Sequence, residues 1–487
     1  MHMDKTMLIT SMMRVILTRS LKSFVFKGRY DNALDYRDLD SLGLYVHIPF
    51  CRSLCSFCPY CKVKYDEALA KAYEVALLKE IELCAESGKR AECKAMCSKE
   101  AQGEGLHTEV AAHGELLHAK AAHCETGEAF RSDYKQTVAT GNVEKKTVAT
   151  GIIEKKTVTS LYFGGGTPAL MIDSIGKIIE KLKQYFTIEG EIGVELHPFD
   201  IEPDNLERLK EAGVTMVSTG VQSFDNECLK KIGRSAGNIE AKLALIKKYD
   251  FAVVDVDLIF GIPGQDKDIL KKDVEMAFSL GATQISTYPF IDFTYANNQY
   301  KPLSHKTKKQ MLGYLNELCK EMDIERTSVW TFAKKKTGRY SSITRDNFLG
   351  FGVSATTLLR HQFKINTFSI EEYVNRINAG NLATSLTLDF TKRQRALYYL
   401  FWSAYGLVID PEGFENLIGT PLNKLYGVEI WIASKLGLLK KHKNNYELTE
   451  KGAFYYHFIE QQYTRAYIDK MWNISMKTAF PDEVILK

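Results

Sequence analysis

With 487 residues, 45% hydrophobic and 25% charged, the chain has ordinary globular composition and room for one large domain with one or two smaller ones. A net charge of +4 is small for this length and excludes a nucleic-acid footprint. Ten cysteines, clustered rather than spread as a framework, suit a reducing compartment where thiols bind metal. No apolar run approaches a membrane span, and cytoplasm is the expected location.

Residues 1–41 read as an N-terminal arm. Lys5, Arg14, Arg19 and Lys22 stand among apolar residues with no acid between 5 and 24. That pattern admits an organellar transit peptide, but a helix packing on the main domain is the better reading. Next comes a strand at 43–48, within Leu44-Tyr45-Val46-His47-Ile48-Pro49-Phe50, and then Cys51, Cys55 and Cys58 at spacing C-x3-C-x2-C. Three thiolates on one loop can hold three corners of a cubane iron–sulfur cluster and leave the fourth iron open to a small molecule. A zinc knuckle is the alternative, with Cys61 as the fourth ligand that structural zinc wants.

From 42 to about 290, strand-like and helix-like segments alternate. Strands are predicted at 159–163, 191–196, 215–219, 252–259 and 283–289, and helices at 66–86, 171–186, 203–212, 236–249 and 266–280. Repeated β-α units predict an α/β fold with a parallel sheet and right-handed crossovers. Six units predict a partial (β/α)6 barrel of the TIM kind, with functional residues at the C-terminal ends of strands.

One segment, 87–157, breaks the rhythm with copies ten positions apart, such as TVATGNVEKK against TVATGIIEKK. It reads as an expendable tandem insertion, expected at the barrel face opposite the chemistry. Its Cys93, Cys97, Cys124, His107, His113, His118 and His123 admit a second metal site as the lesser reading. The barrel and its extension are predicted to run from 42 to 383. Residues 384–487 read as helix (391–405), helix (421–437), two short strands (438–448) and a long helix from Thr449 to about Trp472. This is a winged-helix-like, mainly α domain without a dense basic stripe, expected to cap or dock on the barrel.

Phe163-Gly164-Gly165-Gly166-Thr167-Pro168 follows the second strand, where glycines let a backbone approach a ligand closely. Tyr45-Val46-His47-Ile48-Pro49-Phe50-Cys51, Phe57 before Cys58, and Gly164-Gly165-Gly166-Thr167-Pro168 are one part of a larger set. Val194-Glu195-Leu196, Gly220-Val221-Gln222-Ser223-Phe224, Arg234, the run Asp257–Gln265 and the run Gly350–Ala355 complete it. Together they resemble the radical S-adenosylmethionine (SAM) superfamily, in the group typified by oxygen-independent coproporphyrinogen III oxidase. The resemblance covers 42 to about 360 apart from the insertion, and the C-terminal domain more loosely.

It implies that Cys51, Cys55 and Cys58 ligate a [4Fe-4S] cluster, with Tyr45 and Phe57 packing beside it. Gly165, Gly166 and Thr167 would meet the aminoacyl part of SAM, and Glu195 its ribose. Gln222, Arg234 and Asp257 match residues that hold a second SAM, although Arg234 and Asp257 could instead pair across the barrel mouth. Cys61 lies three residues after Cys58, one more than in the oxidase, and is read as a proton or hydrogen-atom donor or a buried thiol, not an iron ligand.

Departures at Val329–Ala333 and Arg339–Phe348 fall where substrate is expected. Oxidative decarboxylation of a tetrapyrrole in porphyrin and heme metabolism is the first reading, with Arg339 and Arg345 as candidate partners of propionates. Radical methyl transfer or anaerobic heme opening with two SAM is the second, and a heme chaperone the third. A reduced flavodoxin- or ferredoxin-type donor is implied, with neither nucleic acid nor membrane as partner.

Overall fold

The computed structural model describes residues 5–30, 32–39, 42–101, 155–235, 237–296, 298–338 and 347–487, with side chains left aside at 5–9 and 89–101. The chain divides into two units, one of residues 1–89 with 156–487 and one of 90–155. Of the second unit, residues 90–101, the end of the helix Glu67–Ala101, and Lys155 are described. The repeats and the insertion's histidines lie outside the described residues, and Cys93 and Cys97 outside the described side chains.

Six strands form the parallel heart of the first unit, labelled here β1 (Gly43–Ile48), β2 (Lys156–Gly165), β3 (Phe186–Leu196), β4 (Met216–Gln222), β5 (Val253–Phe260) and β6 (Gln284–Pro289). Each pairs in parallel with the next, β1 through β6 in chain order. Strands covered on both faces read as near-continuous apolar runs, as Val253-Val-Asp-Val-Asp-Leu-Ile-Phe260 does. Helices Ile172–Tyr185, Pro203–Glu211, Ile239–Ile246 and Lys267–Ser279 fill the crossovers. Asp266 caps the last of these through the Ile269 N–H. The fold is mixed α/β around a parallel sheet, as the alternation predicts.

The helix predicted at 66–86 continues to Ala101, because Ala, Glu, Lys and Met dominate the added stretch and favour helix. Beyond β1 the sheet runs on through Phe348–Phe351, parallel to β1, and then antiparallel through Thr356–Leu358, Gln362–Asn366, Thr384–Asp389, Phe24–Lys27 and Glu483–Leu486. Thr384–Asp389, at the start of the predicted C-terminal domain, is thus a strand of the main sheet.

The C-terminal portion is mainly helical. Lys392–Tyr405 begins with a reciprocal cap between Thr391 and Gln394, and Leu422–Lys435 precedes the hairpin Leu439–His442 and Asn445–Leu448. The final long helix is interrupted: Glu450–Tyr463 passes through a π turn at Thr464–Ile468 into Asp469–Ser475. No described helix is long and apolar enough to cross a membrane.

His457 anchors this helix. Its ring meets Trp330 edge-on at 4.2 Å between centroids, and Nε2 lies 2.9 Å from the Gln461 amide. Burial first, then Arg326, Lys308 and His305, depress its pKa to about 3. The unfolded chain therefore takes up this proton first as pH falls. Stability contributed by neutral His457 is expected to be whole above pH 6.5 and to fall toward pH 3, by up to about 1.4 kcal/mol per unit. Urea unfolding between pH 6.5 and 4 checks this: His457→Gln should show a correspondingly shallower slope than the parent chain, and parallel slopes would refute it.

Candidate active site at the strand ends

The cysteine loop is an excursion held at its neck. Phe50–Cys51 pairs with Val63–Lys64, with Val63 N–H donating to Pro49 O at 2.8 Å and Tyr65 N–H to Cys51 O at 2.9 Å. Lys62 Nζ reaches back to Cys58 O at 2.7 Å. Cys51 is buried, while Cys55 and Cys58 are half-buried, and all three are free thiols. Cys51 Sγ lies 3.9 Å from Thr167 Oγ1, and Cys55 Sγ 3.7 Å from Arg234 Nη1. With the sulfurs drawn to these separate partners, no three Cys, His, Asp or Glu side chains converge on a metal-binding point among the described residues.

The donor set still matches the group that the resemblance implies. Three cysteines share one loop, and burial first, with charge on Cys58 and Cys55 adding to it, pushes the Cys51 thiol up to about 12. A soft cation that takes thiolates relieves that burden.

The glycine loop is stitched onto this loop. Gly166 N–H donates to Ile48 O and Thr167 N–H to Phe50 O, both at 2.7 Å. Gly165 N–H donates to Glu195 Oε2 at 3.0 Å, while Tyr162 O–H holds Glu195 Oε1 at 2.7 Å. All three N–H groups are engaged. The loop can therefore meet an ammonium through carbonyl oxygens or the Thr167 hydroxyl, not a carboxylate through N–H groups. Gly165 needs its φ of +115°, and a Cβ there would meet the His47 ring.

Tyr45 stacks on Tyr162, 6.2 Å between centroids, and its hydroxyl lies 3.0 Å from His47 Nδ1. His47 Nε2 lies 3.0 Å from Cys61 O, and burial lowers its pKa to about 4. Phe57 packs against the core. Cys61 is buried, its Sγ 3.5 Å from Phe368 O, and burial pushes its thiol up to about 11.

Gln222 closes β4 at φ +73°, where the register with β5 shifts between Gly220 and Gln222. Such a bulge re-aims a side chain at a strand end. Arg234 donates to Gly220 O at 2.5 Å besides reaching Cys55. Its guanidinium lowers the Asp257 pKa only as the smallest influence, and among the described residues the two close no ion pair. The pairing across the mouth is not formed. Asp257 accepts from Ser218 Oγ at 3.3 Å and Asp255 from Ser286 Oγ at 2.7 Å. Burial raises both carboxyls, as it does Glu195, so these interior acids hold protons more tightly than free ones.

Sequence reasoning missed part of this mouth. Tyr60 and Tyr288 are 53% and 41% exposed, and surrounding atoms first, then Glu195 for Tyr60 and Asp257 for Tyr288, raise both phenols. Glu460 acts electrostatically on Tyr60 and Tyr405, and its own pKa is pushed up to about 7 by burial. Thr464, first residue of the π turn, donates to Glu460 Oε1 at 3.0 Å, while Oε2 is buried without a hydrogen bond. An acid among aromatics on a helix's inner face is the signal that was available. Arg339 and Arg345 lie outside the described residues.

The radical SAM superfamily model matches residues 122–277. The heme chaperone HemW of Lactococcus lactis is 25% identical over 314 residues, covering 60% of this chain and 81% of that protein. The oxygen-independent coproporphyrinogen III oxidase of Cereibacter sphaeroides is 21% identical over 369 residues, covering 70% of this chain and 67% of its own. The structure of coproporphyrinogen III oxidase (HemN) from Escherichia coli superposes with a TM-score of 0.66 at 20% identity, over 92% of this chain and 98% of that one. The chain carries a radical SAM domain and is similar to coproporphyrinogen III oxidases and heme chaperones among other proteins.

Proposed function

We propose that the chain is a radical SAM enzyme of the coproporphyrinogen-oxidase-like group, acting on a tetrapyrrole. The observation that carries this reading is the convergence of the cysteine loop, the glycine loop and the carboxyls of Glu195 and Asp257 at the C-terminal ends of consecutive parallel strands. Cys51, Cys55 and Cys58 would hold a [4Fe-4S] cluster, which when bound and reduced by an external donor would supply the one electron that splits the C5'–S bond of SAM into methionine and a 5'-deoxyadenosyl radical.

The protein's own residues orient and enclose. The Tyr45–Tyr162 stack packs with Met216 and Val253 inside the sheet's concave side, and Glu195, fixed at both oxygens, keeps lone pairs for ribose hydroxyls. Gln222, Arg234 and Asp257 offer an amide, a cation and an acid to a second SAM. Cys61, beneath the loop, is a hydrogen donor in this scheme. Glu460, buried beneath Tyr60 and Tyr405, would act on a bound substrate through its charge rather than by contact. Glu460→Gln is expected to raise KM for the tetrapyrrole severalfold while iron content and uncoupled SAM cleavage stay unchanged; unaltered KM would remove Glu460 from the substrate wall.

Anaerobic reconstitution with SAM, a flavodoxin- or ferredoxin-type reductant, and either coproporphyrinogen III or heme tests the reading by mass spectrometry. Deoxyadenosine with a decarboxylated product is expected. A methylated or opened tetrapyrrole assigns the methyltransferase or heme-degrading branch. Stoichiometric heme binding without deoxyadenosine assigns a heme carrier, a second reading favoured by the coverage of the Lactococcus lactis chaperone.

A further inference from the structure

The helix Leu422–Lys435 is apolar on two faces. One looks inward, where Leu422, Tyr426 and Ile430 are buried with Phe414 and Leu439. The other looks outward. Beyond the irregular turn at Tyr426, Val428, Trp431, Ile432 and Leu436 recur at the i, i+3, i+4, i+8 spacing of a core-facing stripe. All four are nevertheless exposed, Val428 by 62% and Trp431 by 61%. The first helix continues this surface. Arg19 reaches Glu429 at 3.2 Å, and Leu17 packs beside Leu425 and Ala433, so Lys5–Thr18 lies against the same helix. Its Ile16 is exposed, as is Leu21 just beyond it. Single exposed apolar residues are ordinary, but a phased cluster marks an interaction surface.

Cations rim it. Glu429 is the one acid between 422 and 436, and Arg19 pairs with it. Lys435 stands in the stripe itself, seven residues after Val428, and Lys424 lies near the start of the helix. Tyr446 Oη lies 3.5 Å from Asn423 Oδ1, which sets the hairpin Leu439–Leu448 against that start. Lys441 faces Tyr446 across the hairpin, and Lys443 is at its tip. Glu447 is taken by Lys440 and His442. Lys424, Lys435, Lys441 and Lys443 are all exposed. Among the described residues, none of these four closes an ion pair with an acid.

We propose that this face docks on an anionic lipid surface, with Trp431 and its apolar neighbours entering the headgroup boundary and the four lysines meeting the phosphates. Two properties favour lipid over a protein partner. Tryptophan is the side chain that bilayer interfaces enrich. Lysine is depleted from protein interfaces, whereas its long stem buries beside lipid and keeps the charge among anionic headgroups. The proposal departs from the expectation of no membrane partner, which rests on spanning runs; a surface helix of this kind needs none. It is independent of the radical reading.

The test mixes the purified full chain with vesicles of phosphatidylcholine alone or of phosphatidylcholine with phosphatidylserine, and follows co-sedimentation and tryptophan emission. Binding to the anionic vesicles should saturate, shift the emission to the blue and weaken as salt rises. It should exceed binding to the neutral vesicles at least about tenfold. Trp431→Glu should weaken it by about tenfold or more while circular dichroism stays native. Lys435→Glu combined with Lys441→Glu should bring the two vesicle types to similar affinity. Equal affinity for both types in the parent chain, binding of neither, or undiminished binding in folded Trp431→Glu would each overturn the proposal. Self-association that Trp431→Glu abolishes, without vesicle binding, would give the face to a second copy of the chain and overturn it as well.

Discussion

Replacing Cys51, Cys55 or Cys58 singly by alanine is expected to strip iron and acid-labile sulfide from the anaerobically purified chain. Deoxyadenosine formation should fall by about three orders of magnitude or more, since removing one of three anchors leaves a cluster no stable seat. Cys61→Ala is the informative contrast. Its sulfur turns away toward Phe368 O, so iron content should hold while product formation drops. Iron and sulfide assays on the four variants decide the matter. Equal iron in Cys55→Ala and the parent would defeat the assignment, and loss of iron in Cys61→Ala would make that thiol a ligand.

The second large effect is expected from one methyl group. A Cβ at Gly166 would lie 2.5 Å from Phe50 O and 2.8 Å from the Pro49 carbonyl carbon, both backbone atoms that no side-chain rotation can move aside. Gly166→Ala must therefore push the glycine loop off the neck of the cysteine loop, breaking the Gly166–Ile48 and Thr167–Phe50 bonds. SAM cleavage is expected to fall about a hundredfold or more, since a misplacement near 1 Å costs that much. Thermal unfolding should shift by only a few degrees. Gly176→Ala, with open space around its Cβ in the helix Ile172–Tyr185, is the control that should leave SAM cleavage unchanged while stabilising the chain by about 0.5–1 kcal/mol. Full activity in Gly166→Ala would mean the two loops do not act as one site.

Much of this was legible in the sequence because the barrel strands are buried on both faces and their apolar runs are long. Val253–Phe260 differs from the predicted 252–259 by one residue at either end. The antiparallel half escaped notice for the opposite reason. Strands such as Phe24–Lys27 and Thr356–Leu358 are too short for any alternation to show, and tertiary pairing alone creates them. Spacing made the cysteine loop readable. The reach of Arg234 to Cys55 was not, because it depends on how the helix Asn226–Lys231 folds back, with Ser56 touching Ile232 O. Glu460 was hidden in a helix predicted as continuous from Thr449 to about Trp472, and the π turn that supplies its Thr464 hydroxyl has no signature in residue type.

The interval between β1 and β2 has a thermodynamic consequence. These neighbouring strands pair directly, yet the unit 90–155 lies in the connection between them. Loop-closure entropy rises only with the logarithm of contour length, so this whole passenger taxes the native state by roughly 1 kcal/mol. By the same relation a connection ten times longer would cost roughly 2 kcal/mol, which makes the junction a natural port for grafting foreign sequence into the chain.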